Sequence, residues 1–219
     1  MSDAARDRIL ARLQSAPRQE APRPADPAPV AGAPDGGARV ARLKTLMEAM
    51  RAEVHVVPAP EWLPRLKEFL RSRSIRTLLY APGSVIGGEL GAAWEADPSG
   101  LPALVAYDRP VEAFKETLFG VDAAITTAAG AVADIGAIIL RPDAHEPRLM
   151  SLVPPVHIAV LAADAIHPCL SDAMRAGAWP ADMPSNLLLI SGPSKTADIE
   201  LVLAFGVHGP KELVVLILE

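Results

Sequence analysis

The fold is organised around residues 186–210, NLLLISGPSKTADIELVLAFGVHGP. The run from Asn186 to Ile190 is short and apolar, which predicts a buried strand. A polar break follows, and a helical pattern then runs from Thr196 to Leu203. A strand that leads through a short loop into a helix concentrates free backbone N–H groups and the positive end of the helix at one point. The stretch therefore predicts an anion site.

The residues predicted to form this anion site are Ser191, Gly192, Ser194, Lys195 and Thr196. The ammonium group of Lys195 would add a full positive charge. The loop is not a Walker A loop, because its leading glycine is missing. The alternative is a plain turn, in which Thr196 caps the helix and two acidic residues face its dipole. Both interpretations stay open at this point.

Composition limits the classes of function. The chain has 219 residues, of which 50% are hydrophobic, and a formal net charge of −5. That length supports one sizeable core, and the negative charge argues against general nucleic-acid binding. No apolar run reaches the roughly 18–20 residues that a membrane span needs. The single cysteine, Cys169, excludes an intrachain disulfide and cannot by itself hold an iron–sulfur cluster. We expect a cytoplasmic protein with no metal site or cofactor of its own.

Three segments are predicted along the chain: an N-terminal helix at 1–15, a flexible linker at 16–37 and an α/β domain at 38–219. The first segment alternates charged and apolar residues at helical spacing. The second is rich in Pro and Ala and cannot bury enough apolar surface to offset chain entropy. The helix would therefore be tethered, and it would dock on a partner or on another copy of the chain.

Short apolar runs alternate with amphipathic stretches through the third segment. Strands are predicted at 53–57, 76–80, 101–106, 156–161, 186–190 and 212–218, with two or three more within 120–141. Helices are predicted at 38–52, 61–71, 110–116, 164–175 and 196–203, with another short one near Trp94. This order predicts an α/β fold, a three-layer sandwich around a mostly parallel sheet.

Ligands of such sheets gather at the carboxyl ends of the strands. Gly83, Gly87 and Gly88 follow one predicted strand, where they either bind a ligand or permit tight turns. Asp134 precedes a glycine between apolar strands, so it is either a turn residue or a carboxylate held in the cleft. His208 lies in a glycine-flanked loop. His208 and Asp134 are the candidates for moving a proton.

Four segments carry a family resemblance. SGPSKTADIE (191–200) and GVHGPKEL (206–213) resemble the signature of the LUD-domain family, which includes the lactate utilization protein C group. AVADIGAIIL (131–140) and LVPPVHIAVL (152–161) stand where that family has comparable segments. The resemblance covers roughly residues 40–219. It implies a fold like that of the ribose-5-phosphate isomerase, glucosamine-phosphate isomerase and CoA-transferase group.

The resemblance also implies a function. It implies the oxidation of L-lactate to pyruvate by three co-acting proteins, of which the other two carry iron–sulfur clusters. The single Cys169 agrees with a subunit that supplies no cluster. Family members commonly carry Thr or Ser at two positions that are Ile135 and Ala137 here, so any ligand contact of those hydroxyls is lost or replaced.

Two other functions stay open. One is a stand-alone enzyme acting on a phosphorylated or carboxylated metabolite, in which Lys195 and the neighbouring N–H groups hold the anion. The other is a regulatory or scaffold module that senses an organic acid, which the tethered N-terminal helix would connect to its partner. A homo-oligomer is compatible with each of these functions.

Overall fold

The computed structural model of the protein describes residues 3–15, 36–177, 179, 184–197, 203–205 and 208–219. Helix α1 spans Asp3–Ser15, where a helix was predicted. The predicted linker at 16–37 lies outside the described residues except for its last two, and these already belong to the next helix. The division of the chain into helix, linker and domain therefore stays a prediction.

Within the described residues, six parallel strands form the central sheet. Their spatial order is β1 (Glu53–Val57), β12 (Glu212–Leu218), β7 (Val156–Ala162), β4 (Ala123–Thr127), β2 (Thr77–Tyr80) and β3 (Ala103–Ala106). Every neighbouring pair is parallel, so the strands share one amino edge and one carboxyl edge. The predicted α/β fold with a mostly parallel sheet is confirmed.

Helices cover both faces of this sheet, because alternate side chains of each strand point to opposite faces and both sets are apolar. These helices are α2 (Gly36–Ala49), α3 (Trp62–Arg71), α4 (Gly87–Ala96) and α5 (Val111–Gly120). A further helix, α6 (Leu170–Ala176), packs on a second, smaller sheet. On one face, Leu66 of α3 and Leu90 of α4 share a buried cluster with Ile125 of β4. On the other, Leu43 of α2 packs with Val215 of β12, and α5 joins a third cluster with β2 and β4. No helix of the described chain combines the length and apolar character needed to cross a membrane.

A second, four-stranded sheet lies beyond α2. Its order is β8 (Ile166–His167), β5 (Gly130–Val132), β6 (Ala137–Leu140) and β9 (Leu188–Ile190). One face of it packs on α2 within the cluster that α2 shares with the central sheet. The other face packs on α6 and on Trp179. The predicted turn around Asp134 is confirmed, and it joins β5 to β6 through Gly136 at φ 62°.

Two predicted helices differ from the structure. The helix predicted at 164–175 begins only at Leu170, because residues 166 and 167 extend to pair with β5. The helix predicted at 196–203 is wrong at both of its ends. Lys195–Ala197 (β10) is a strand, and it pairs antiparallel with Leu203–Phe205 (β11). Helix propensity is a weak preference, and pairing with a second extended segment outweighs it.

Candidate functional site

The strand order creates a crevice between the carboxyl ends of β2 and β4. The connection that leaves β2 runs outward to β3, and the one that leaves β4 runs the opposite way, towards β7. The two connections therefore diverge above neighbouring strands. In open α/β sheets, such a point is where ligands bind.

A cavity of about 560 Å³ lies at this edge of the sheet. Three connections contribute its walls: the loop after β2, the loop after β3 and the segment that follows β6. The lining residues are Pro82, Gly83, Tyr107, Asp108, Arg109, Pro110, Asp143, Ala144, His145 and Pro147. This volume is within the range of small-molecule sites.

The third wall is held in place by two carboxylates. Asp143 Oδ1 accepts the backbone N–H groups of His145 and Glu146, each at 2.7 Å, which folds the segment into a tight turn. Glu146 Oε2 then accepts the backbone N–H of Thr127 at 2.9 Å and its hydroxyl at 2.5 Å. Thr127 is the last residue of β4. We call this contact the Glu146–Thr127 clasp, and it ties the cavity wall to the sheet.

Burial and charge perturb the acids of this region. Burial raises the pKa of Glu146, and the negative charge of Asp143 raises it further, against hydrogen bonds from Thr127 and Ser84. Burial also raises the pKa of Tyr107, with a contribution from Glu112. A carboxyl group with a raised pKa beside the end of a strand is a candidate acid or base.

The cavity itself offers both hydrogen-bond donors and acceptors. Arg109 Nε donates to Asp108 Oδ1 at 2.9 Å, and its guanidinium lies 5.7 Å from the ring of Phe114. His145 and Asp143 line the same cavity. Such a set suits a polar ligand that carries hydroxyl groups together with an anionic group.

The three predicted glycines of this edge have different surroundings. A Cβ at Gly83 would overlap His145 Nδ1, so the glycine lets the imidazole lie against the backbone. A Cβ at Gly87 would overlap the backbone of Ala81 and Pro82, which makes this glycine a packing position. Gly88 has open space around it. The structure thus brings Gly83 into the cavity lining, and the ligand-binding roles of all three stay predictions.

Comparison with known proteins places the chain in a family. Residues 40–218 match the family model described as the LUD domain. The chain belongs to the LUD-domain family. An uncharacterized protein of Neisseria meningitidis serogroup B is 35% identical to it over 185 residues, which are 82% of this chain and 78% of that protein.

Two proteins of Deinococcus radiodurans are also similar to this LUD-domain chain. One is called lactate utilization protein C and is 35% identical over 144 residues, which cover 62% of this chain and 68% of the relative. The other is a DUF162 family protein of known crystal structure, with a TM-score of 0.61 and 20% identity, covering 85% of this chain and 99% of that one. At that identity, the structural similarity supports the fold alone.

Two of the segments that carry the LUD-domain resemblance have described residues at the opposite edge of the central sheet, namely the loop at 191–195 and the residues just before β12. Pro193 shares a cavity with Glu53 and Glu212, the first residues of β1 and β12. Ser194 donates its backbone N–H to the carbonyl of Pro210 at 2.9 Å, just before β12. The loop at 191–195 therefore sits at the amino edge, away from the cavity of the carboxyl edge.

Glycines pack this loop and the 133–136 turn against the end of α2. A Cβ at Gly192 would lie 2.7 Å from the carbonyl oxygen of Met50, and a Cβ at Gly136 would overlap Leu46. Lys195 Nζ lies 3.8 Å from Met50 Sδ, close to the carboxyl end of α2. A cation there interacts favourably with the helix dipole. This placement favours a packing role over the predicted anion site, whose helix is replaced by β10.

The other predicted residues are also at this edge or in the strands beside it. Asp134 is exposed, and its backbone N–H donates to the carbonyl of Pro168 at 3.1 Å. His208 is exposed in the segment before β12. Ser191 is half-buried after β9, and the backbone of Thr196 belongs to β10. The catalytic and anion-binding roles assigned to them stay predictions.

Sequence reasoning missed the residues that shape the carboxyl edge, namely Ser84, Arg109, Thr127, His145 and Glu146. Their signal was position: each follows or ends a predicted strand, or lies in the polar loop after one. The described residues contain no group of three or more His, Cys, Asp or Glu side chains arranged to hold a metal ion.

Proposed function

We propose that this protein is the component without an iron–sulfur cluster in an L-lactate utilization system. It would act with iron–sulfur partner proteins in the oxidation of L-lactate to pyruvate. The proposal is carried by the match of residues 40–218 to the LUD domain, together with similarity to a protein called lactate utilization protein C.

Cysteine content supports this division of labour. The only cysteine of the 219 residues is Cys169, and its Sγ donates to Asp172 Oδ2 at 3.3 Å. Iron–sulfur clusters need several thiolate ligands, so electrons taken from lactate would leave through partner proteins. A chain with one cysteine also suits the reducing cytoplasm, where we propose that it acts.

Growth on lactate tests the proposal. A strain that lacks the gene, and that has no other lactate dehydrogenase, should fail to grow on L-lactate and should still grow on pyruvate. The complete gene supplied in trans should restore growth. Normal growth of the deletion strain on L-lactate would contradict the proposal.

Affinity capture tests the partners. The tagged protein from lactate-grown cells should recover iron–sulfur proteins, and the eluate should oxidise L-lactate. If cells depend on the protein for growth on lactate but it is captured alone, the proposed partners would be contradicted and the role in lactate utilization would not.

The cavity at the carboxyl edge favours a second candidate function, a stand-alone enzyme acting on a phosphorylated or carboxylated metabolite. Arg109 would hold the anionic group, and His145 would face the remainder of the ligand. A ligand at about 100 times its dissociation constant should stabilise the fold by about 2.7 kcal/mol. A thermal-shift screen would compare the wild type with Arg109→Gln and with Lys195→Ala. Arg65→Gln, which changes an exposed arginine of α3, is the control. A broad screen without any shift would contradict this candidate.

A further inference from the structure

A second cavity, of about 180 Å³, lies on the outer face of the four-stranded sheet. It lies between that sheet and α6, and it shares no lining residue with the cavity at the carboxyl edge. The lining residues are Ala129, Ile139, Arg141, His167, Ala173, Ala176, Gly177, Trp179 and Leu187.

Small residues create this space. Gly130 of β5 pairs with Ile139 of β6, and a Cβ on Gly130 would stand 2.9 Å from the carbonyl oxygen of Ala165 and 3.7 Å from His167 Nε2. The missing side chain therefore leaves room between β6 and the histidine. On the side of α6, the described lining includes the small residues Ala173, Ala176 and Gly177.

Two polar side chains reach this space from opposite strands. Arg141 follows Ile139 by two residues, so it projects to the same face of the sheet. His167 ends β8 and pairs in register with Val132 of β5, which also faces α6. The remaining walls are apolar, with Trp179 and Ile139 as the largest groups. Apolar walls with a few convergent polar groups are typical of small-molecule sites.

The imidazole of His167 is kept neutral. Burial lowers its pKa, and the positive charge of Arg39 lowers it further, while Asp172 opposes both. The Arg39 guanidinium is fixed nearby, because its Nη1 donates to the carbonyl of Ile166 at 2.7 Å. A neutral imidazole keeps one ring nitrogen as an acceptor for a hydroxyl group.

We propose that this cavity binds a small 2-hydroxy carboxylate, with the carboxylate on the guanidinium of Arg141 and the hydroxyl on His167. Arginine matches the planar carboxylate with two parallel donors. A cavity of about 180 Å³ has room for a small organic acid, since about 10–15 Å³ suffices for one water molecule. The methyl group of L-lactate would meet the apolar wall. The choice of L-lactate rests on the proposed function, whereas the ligand class rests on the cavity.

Calorimetric titration of the full-length protein tests the site with two ligands. L-lactate carries the hydroxyl group, and propionate is the same acid without it. Arg141→Gln should weaken the binding of both ligands by about tenfold or more, because a hydrogen bond to a charged group is lost. The same substitution at Arg65, an exposed residue of α3, should leave both affinities unchanged.

His167→Phe separates recognition of the hydroxyl from general packing. Phenylalanine keeps the ring shape and removes the acceptor nitrogen. It should weaken L-lactate binding several-fold and leave propionate binding nearly unchanged. Equal losses for the two ligands would contradict the assigned contact.

Ala176→Leu blocks the cavity without changing its charges. Ala176 is exposed at the end of α6, so the variant should keep its melting temperature and lose L-lactate binding. Unaltered binding in Arg141→Gln and Ala176→Leu, or no binding of either acid to the wild type, would overturn the proposal. A growth defect without binding overturns the cavity alone. Binding without a growth defect overturns the proposed function alone.

Discussion

The two edges of the central sheet are built in different ways. At the amino edge, Gly136 and Gly192 bring loop backbone against the end of α2, and neither leaves room for a side chain. At the carboxyl edge, Glu146 reaches across to Thr127 and holds one wall of a large cavity. The described loop at 191–195, part of one segment of the family resemblance, lies at the first edge. Glu146 and Tyr107, whose pKa values are raised by burial, lie at the second. The motif around residues 191–195 therefore marks a place where a loop packs on α2, whereas the strand order indicates where the cavity lies.

The largest effect is expected at the amino edge, from Gly136→Ala. Gly136 has φ 62°, and a Cβ there would overlap Leu46. A left-handed backbone costs an L-residue about 1–2 kcal/mol, and overpacking costs about 1–3 kcal/mol more. The free energy of unfolding, measured by urea denaturation, should fall by about 2–5 kcal/mol. If the free energy of unfolding fell by less than about 1 kcal/mol, the amino edge would not be as tightly packed as this comparison of the two edges requires.

His157 is a buried histidine near the amino end of β7. Its Nε2 lies 2.9 Å from Thr126 Oγ1, its Nδ1 has no hydrogen-bond partner among the described residues, and burial lowers its pKa to about 4 from 6.5. The folded-state pKa is depressed, so the stability it contributes is present above pH 6.5 and is lost as the pH falls towards 4.

The full loss from this histidine is about 3 kcal/mol, since each pKa unit corresponds to about 1.4 kcal/mol. His157→Gln should therefore lose less stability than the wild type between neutral pH and pH 4. Denaturant unfolding at a series of pH values measures this difference. Parallel curves for the two proteins would show that His157 does not titrate on unfolding.

A smaller effect is expected from the clasp. Glu146→Ala leaves the backbone N–H of Thr127 without its carboxylate partner, which should cost about 1–3 kcal/mol. Hydrogen exchange at Thr127 should accelerate, and exchange around Gly136 should stay unchanged. Matching acceleration at both positions would mean that the two edges are energetically coupled.

The smallest effect, a gain, is expected from Gly88→Ala. Gly88 lies within α4, and a Cβ there would meet no atom within 4 Å. Alanine is favoured over glycine inside a helix by up to about 1 kcal/mol. The melting temperature should therefore rise slightly. A lower melting temperature would contradict this, because it would mean that the added methyl group meets a neighbouring atom.

Much of the fold was predictable because its elements are marked locally. The runs at β1, β7 and β12 are short and mostly apolar, as buried parallel strands are. The apolar spacing of α2 and α3 defined their buried faces. The candidate site was less predictable, because Glu146 and Thr127 are 19 residues apart and meet only through the strand order.

The sequence by itself determined the alternation of strands and helices, the turn at Gly136 and the lack of cluster ligands, since each depends on neighbouring residues or on composition. The tertiary structure alone decided that Lys195–Ala197 pairs as a strand and that Arg141 and His167 line one cavity. The physical reason is the range of the interactions. Periodicity and turn preference act over a few residues, whereas strand partners and cavities depend on which distant segments pack together.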